Sequence, residues 1–129
     1  MTAGFRSYRD LELWKKGLAL AKFVYQATAD CPSEERFGLT NQMRRAAVSI
    51  PLNIAEGHAR LSIAEFQRFI SIAMGSIAEL ETQMILSTDL AFLTGEVSQV
   101  ALVQLDEIGK MARGLYRSLA NRRNSEGKQ

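Results

Sequence analysis

The sequence is poor in the residues that carry inorganic or covalent chemistry. A single cysteine, Cys31, excludes a disulfide within the chain and fits the reducing cytoplasm. A single histidine, His58, leaves a zinc site in one chain without enough ligands, and it is not preceded by the Glu-x-x-His glutamate that a di-iron bundle requires. The nine glycines form neither G-x-G-x-x-G nor G-x-x-x-x-G-K-[ST], so no backbone cradle for a dinucleotide or triphosphate is present. Cys31 has no local cation to activate it, and Ser76 sits in mid-helix without a histidine base. No catalytic residue, cofactor or metal is expected. Excess charge is also missing: sixteen Lys and Arg face fourteen Asp and Glu, a net +2, so affinity for nucleic acid must come from where the charges sit. The N-terminus lacks the apolar core of a signal peptide, and no run of about eighteen apolar residues suits a membrane span. A cytoplasmic protein without a membrane partner is expected.

What remains is 129 residues, 47% of them apolar, enough for one core. One domain over residues 1–123 is expected, followed by a frayed polar tail over 124–129. Only two prolines interrupt a chain rich in Ala, Leu, Glu, Gln, Arg and Ile, and apolar spacing divides it into four helices. The first runs from about Asp10 to Ala29 and stops at Asp30-Cys31-Pro32-Ser33. The second spans Glu34 to Glu56, with Gly57 as its stop, His58 in the following loop, and a kink at Pro51. Ser62 and Glu65 form a capping box that opens the third, which continues to Asp89. The fourth, Glu96 to Arg122, carries Ala101, Leu105, Ile108, Ala112, Leu115 and Leu119 on one stripe. Short connections make the fold all-α, an antiparallel up-down-up-down four-helix bundle.

The first helix has two apolar stripes about 110° apart, Leu11, Trp14, Leu18, Ala21 and Tyr25 on one and Leu13, Gly17, Leu20, Val24 and Ala27 on the other. One core rarely needs both. The second stripe is therefore expected to pack on another copy of the chain; a broad, deeply buried helix is the alternative.

On the second helix Gln42, Arg45, Ser49 and Glu56 run beside the core stripe, with Asn53 on it. The third helix offers Arg68, Ser76, Glu79 and Gln83. In a hairpin turning between Gly57 and Leu61, Arg45 faces Glu79 and Glu56 faces Arg68, because contacting positions keep a constant sum. Arg45, Ser49, Asn53, Glu56, Arg68, Ser76 and Glu79 are thus expected to form a polar layer that fixes helix register; an exposed face whose ion pairs contribute little is the alternative.

Charge is polarised along such a bundle. Arg6, Arg9, Arg60, Arg122, Arg123 and Lys128 outnumber Asp10, Glu56 and Glu126 at one end, whereas Asp30, Glu34, Glu35, Asp89 and Glu96 outnumber Arg36 at the other. Lys110, Arg113 and Arg117 add a basic stripe on the fourth helix. Together Arg6, Arg9, Arg60, Lys110, Arg113, Arg117, Arg122 and Arg123 are the candidate contacts for RNA or DNA phosphates; ordinary solvating charges are the alternative. A scaffold that binds a protein partner in apolar grooves between subunits is a second functional reading.

The run Arg45-Ala46-Ala47-Val48-Ser49-Ile50-Pro51-Leu52-Asn53-Ile54-Ala55-Glu56-Gly57, then Phe66, Phe69, Ile72-Ala73-Met74-Gly75-Ser76 and Glu79-Leu80-Glu81-x-Gln83, resembles the signature of the 23S rRNA intervening-sequence protein family. Tyr8 to Lys16 and Glu35 to Arg45 fit it too, and Leu52 departs from it in size. The resemblance covers Tyr8 to Leu93 closely and the fourth helix by pattern. It implies a small non-enzymatic four-helix bundle of uncharacterised role that forms a homo-oligomeric ring, a homopentamer. A relation to the accessory variability determinant of diversity-generating retroelements implies an RNA or DNA partner.

Overall fold

Hydroxyl caps start two of the helices. Ser62 accepts a hydrogen bond from the Glu65 N–H at 3.1 Å, and Thr94 Oγ1 accepts one from the Val97 N–H at 3.2 Å. The structure, a computed structural model, describes residues 7–35 and 38–127. Its four helices are α1 (Glu12–Ala27), α2 (Leu39–His58), α3 (Ile63–Asp89) and α4 (Gly95–Gly127), with short 3-10 turns at Tyr8–Asp10 and Ser33–Glu35. No strand occurs among the described residues. The carboxylate of Glu65 does not return to Ser62 to complete the capping box; it accepts from Arg68 Nε at 3.0 Å.

The chain packs each helix on the next and α4 back on α1. Ser49 meets Ser76 and Met43 meets Ser87, so the contacts move back along α2 as α3 advances. Leu20, Val24, Met43, Ile50, Ile54, Ile70, Leu80, Met84 and Leu105 are wholly shielded from solvent and form the centre of one core. Burying each such side chain contributes about 1.5–3 kcal/mol. Ala101, Ile108, Ala112 and Leu119 of the expected α4 stripe join them, with Leu115 half-buried.

The reading of α1 requires correction. Leu13, Gly17, Leu20 and Val24, expected on a subunit interface, are buried within the single chain. The other stripe divides: Leu11 and Ala21 are buried, Trp14 and Leu18 half-buried, and Tyr25 is 46% exposed. Both stripes are apolar, so the choice between them falls to α2. A Cβ built on Gly17 would lie in ordinary van der Waals contact, 3.4 Å from Ile50 Cγ2 and 3.6 Å from Pro51, so α1 packs on α2 beside the proline at this position.

Gly57 does not end α2. It is buried in the last turn, and a Cβ there would lie 2.7 Å from Phe69 Cβ, so this glycine serves the close crossing of α2 on α3 rather than a left-handed cap. His58 consequently closes the helix, half-buried, with its ring edge-on to Phe66 at 5.7 Å. The α3 to α4 connection turns at Ala91, whose φ of 64° is left-handed, while Phe92 and Leu93 both donate to Ser87 O. α4 continues through Gly127, past the expected end near residue 122, and takes Gly109 and Gly114 into its interior without breaking. Residues 121–126 are all exposed.

Candidate functional site

Two groups of polar and charged residues come together, both involving α3. The first is the α2–α3 seam. Ser49 Oγ and Ser76 Oγ lie 2.8 Å apart, and Asn53 Nδ2 donates to the Ser49 carbonyl at 2.8 Å and to Ser49 Oγ at 2.9 Å. Short side chains let the two backbones approach while their hydroxyls satisfy one another. The charged members of the expected layer behave differently. Arg45 and Glu79 line one shallow groove with Gln42 and Ser49. They form no ion pair with each other, and neither do Glu56 and Arg68, among the described residues. Glu56 instead accepts from Arg60 at 3.3 Å and Glu65 from Arg68 at 3.0 Å, each within a turn along the chain. Glu56 and Arg68 reach local partners at i+4 and i+3 without stretching across the seam, so that cross-seam pair does not form, and Arg45 and Glu79 have no ion-pair partner among the described residues.

The second group is cationic. Arg60 and Arg68 both stack on Phe69, with guanidinium carbons 4.9 and 4.7 Å from the ring centroid. The Glu65 hydrogen bond raises Arg68 above its ordinary pKa, and the Arg68 hydrogen bond lowers Glu65 below its own. Arg123 Nη1 donates to Gln67 Oε1 at 3.3 Å, which brings the C-terminal part of α4 to the start of α3. Arg68, Phe69 and Gln67 were not among the expected contacts. A charged residue three positions from a carboxylate reads as a helix pair, and only the fold shows two arginines sharing one ring.

The stretch from Lys110 to Arg123 carries Lys110, Arg113, Arg117, Arg122 and Arg123 and no acidic residue. All five are exposed. Lys110 is paired with Asp106 at 3.1 Å, and the four arginines have no carboxylate partner among the described residues. At 100° per residue Lys110, Arg113 and Arg117 fall within one narrow sector of α4. Arg9, with its guanidinium 5.8 Å from the Tyr8 ring, lies on the 3-10 turn that packs against α2. Arg6, Arg36 and Lys128 lie outside the described residues. At the other end Cys31 Sγ donates to Phe92 O at 3.6 Å, so the α1–α2 and α3–α4 connections, with Asp30, Glu34, Glu35, Asp89 and Glu96, adjoin.

Among the described residues no group of three or more His, Cys, Asp or Glu side chains could hold a metal ion. α3 is long and apolar enough to cross a membrane by length and composition, but its Ile70, Ala73, Ile77, Leu80 and Met84 lie in the core.

The model of the 23S rRNA-intervening sequence protein family matches residues 9–114. Among solved structures, a protein of unknown function from the S23 ribosomal protein family of Bacteroides thetaiotaomicron is similar in fold. Its TM-score is 0.73 and its identity 23%, over 81% of this chain and 97% of that one. No curated protein matches.

Proposed function

The chain belongs to the 23S rRNA-intervening sequence protein family, and from that premise we propose a non-enzymatic cytoplasmic protein that self-assembles and binds RNA or DNA nonspecifically. In this reading the helices form an antiparallel up-down-up-down bundle, and five copies form a ring with their cationic faces aligned. The observation that carries it is the run of five exposed cations from Lys110 to Arg123 without an intervening acid. Such a stripe neutralises backbone phosphates and releases their counterions, and it reads no sequence. Arg60 and Arg68, each over the Phe69 ring, extend it.

Self-assembly is supported by the outer face of α3 rather than by α1. Ser71, Gly75, Ala78, Thr82 and Ile85 are exposed at alternating spacings of four and three and carry no charge. Fewer than half the residues of the most apolar stretch of α3 are buried in one chain. A second copy laid on this face would remove that apolar surface from water.

Fluorescence anisotropy with labelled single-stranded RNA and duplex DNA tests the binding reading. The wild type binds both at low salt, binding falls steeply as salt rises, and Arg113→Glu with Arg117→Glu weakens it about tenfold or more with the assembly intact by light scattering. Absence of binding at low salt, or indifference to the double substitution, overturns the reading. A wild-type monomer at micromolar concentration overturns the assembly.

The second reading, a scaffold for a protein partner, rests on the α1–α4 groove. Ala19, Phe23 and Ile108 line a cleft of about 410 Å³, and Val100 and Val103 are 46% and 57% exposed on α4. A partner bound independently of salt and lost on Val103→Asp favours it over nucleic acid.

A further inference from the structure

The connection between α1 and α2 holds a polar cavity that neither reading above uses. α1 ends where Thr28 turns its hydroxyl back to donate to the Val24 carbonyl at 2.7 Å. The same oxygen accepts from Arg44 Nε at 2.8 Å, so a side chain from α2 is fastened to the end of α1. Arg44 Nη2 donates to Tyr25 O at 3.3 Å, and the guanidinium carbon sits 4.6 Å from the Tyr25 ring centroid. These contacts fix the guanidinium through Nε and one N–H of Nη2. Its end-on edge, made by Nη1 and the second N–H of Nη2, has no Asp or Glu within ion-pair distance among the described residues.

Arg44 lines a cavity of about 240 Å³ with Thr28, Cys31, Pro32 and Thr40. Thr40 is 6% exposed, and its hydroxyl has no hydrogen-bond partner among the described residues. Thr40 lines the cavity, so its hydroxyl is available there as a donor to a bound acceptor. Among the described residues the site therefore offers donors without acceptors: a half-buried cation with an unpaired pair of N–H groups and a buried hydroxyl lacking a partner.

We propose that this cavity binds a small monocarboxylate, its two oxygens on the end-on edge of Arg44 and its short aliphatic part against Cys31 and Pro32. A carboxylate matches the planar fork of a guanidinium and supplies acceptors for Thr40 as well. The surroundings select against higher charge, because Asp30, Glu34 and Glu35 lie in the same connection and repel a phosphate dianion or dicarboxylate. Glu35 does not occupy the site itself, since its carboxylate accepts from the Leu39 N–H at 3.3 Å. The cavity is at the end of the molecule away from Arg60 and Arg123, so it stands independently of nucleic-acid binding.

Titration of the full chain with propionate, followed by two-dimensional NMR at constant ionic strength, tests the proposal. Propionate produces saturable shifts centred on Thr28, Thr40 and Arg44, whereas chloride produces none and inorganic phosphate binds more weakly. Arg44→Gln lowers the affinity about tenfold or more, and Thr40→Val about threefold. Because Arg44 also ties α1 to α2, the isosteric Thr40→Val separates loss of ligand binding from loss of folding, and Arg122→Glu serves as a distant control that leaves the affinity unchanged. Shifts that do not saturate, or an affinity unaltered in a folded Thr40→Val protein, overturn the site.

Discussion

Ser49 and Ser76 donate and accept across the α2–α3 seam at 2.8 Å, with the Asn53 amide closing on Ser49 from one turn further along α2. The bond joins the two helices that pack most extensively and fixes their relative position. Ser49→Ala and Ser76→Ala should therefore show coupling rather than additivity. A double-mutant cycle in urea is expected to give an interaction energy of about 0.5–1.5 kcal/mol. Simple additivity would mean that the seam is held by packing alone.

Gly57 and Gly114 make a contrasting pair. A methyl group on Gly57 would meet Phe69 Cβ at 2.7 Å, where backbone must move, whereas nothing lies within 4 Å of one on Gly114. Gly57→Ala is expected to destabilise by about 1–3 kcal/mol. Gly114→Ala should stabilise by about 0.5–1 kcal/mol through helix propensity. Chemical denaturation of the two variants side by side measures both signs.

Much of the fold was legible because it rests on local rules. The Ser62 cap, the end of α3 at Asp89 and the core stripe of α4 each follow from a few neighbouring residues. The choice between the two stripes of α1 was not legible. Both are equally apolar, and the side that turns inward depends on Gly17 meeting Ile50 and Pro51 some thirty residues away. The role of Gly57 was hidden for the same reason: a glycine near a helix end reads as a cap until a phenylalanine from the next helix is seen against it. In the polar layer spacing pointed to cross-seam charge pairs, and the contact that forms is between the Ser49 and Ser76 hydroxyls. Spacing misjudged the charges, since Arg60 and Arg68 found nearer acids and a common aromatic ring.

Ala91 adopts a φ of 64°, a conformation that costs an L-residue roughly 1–2 kcal/mol. Ala91→Gly removes that strain at the α3–α4 connection, partly offset by the greater freedom of glycine in the unfolded chain. A net gain of up to about 1 kcal/mol is expected in thermal or urea unfolding. A loss of stability would show that the alanine methyl makes contacts that outweigh the strain.

The hydrogen bond from Arg68 holds the Glu65 carboxyl below its ordinary pKa of 4.5. Lowered in the folded state, this group stabilises the protein above the ordinary carboxylate range, and the contribution is lost as pH falls through the folded value. NMR titration of Glu65 should find a depressed midpoint in the wild type and a return toward the ordinary value in Arg68→Gln. An unchanged midpoint in the variant would assign the shift to the Ser62-capped helix start instead.

The least extensive packing between neighbouring helices is that of α1 on α4, where a cleft lies beside the ion pair from Lys16 to Glu107 at 2.6 Å. Opening fluctuations will follow that line of weakness. The first and last helices part there while the central hairpin stays closed, so amide protons of α1 exchange with solvent sooner than those of α2 and α3. A chain hinged in this way would lend its outermost helix to a neighbouring molecule more readily than any other element.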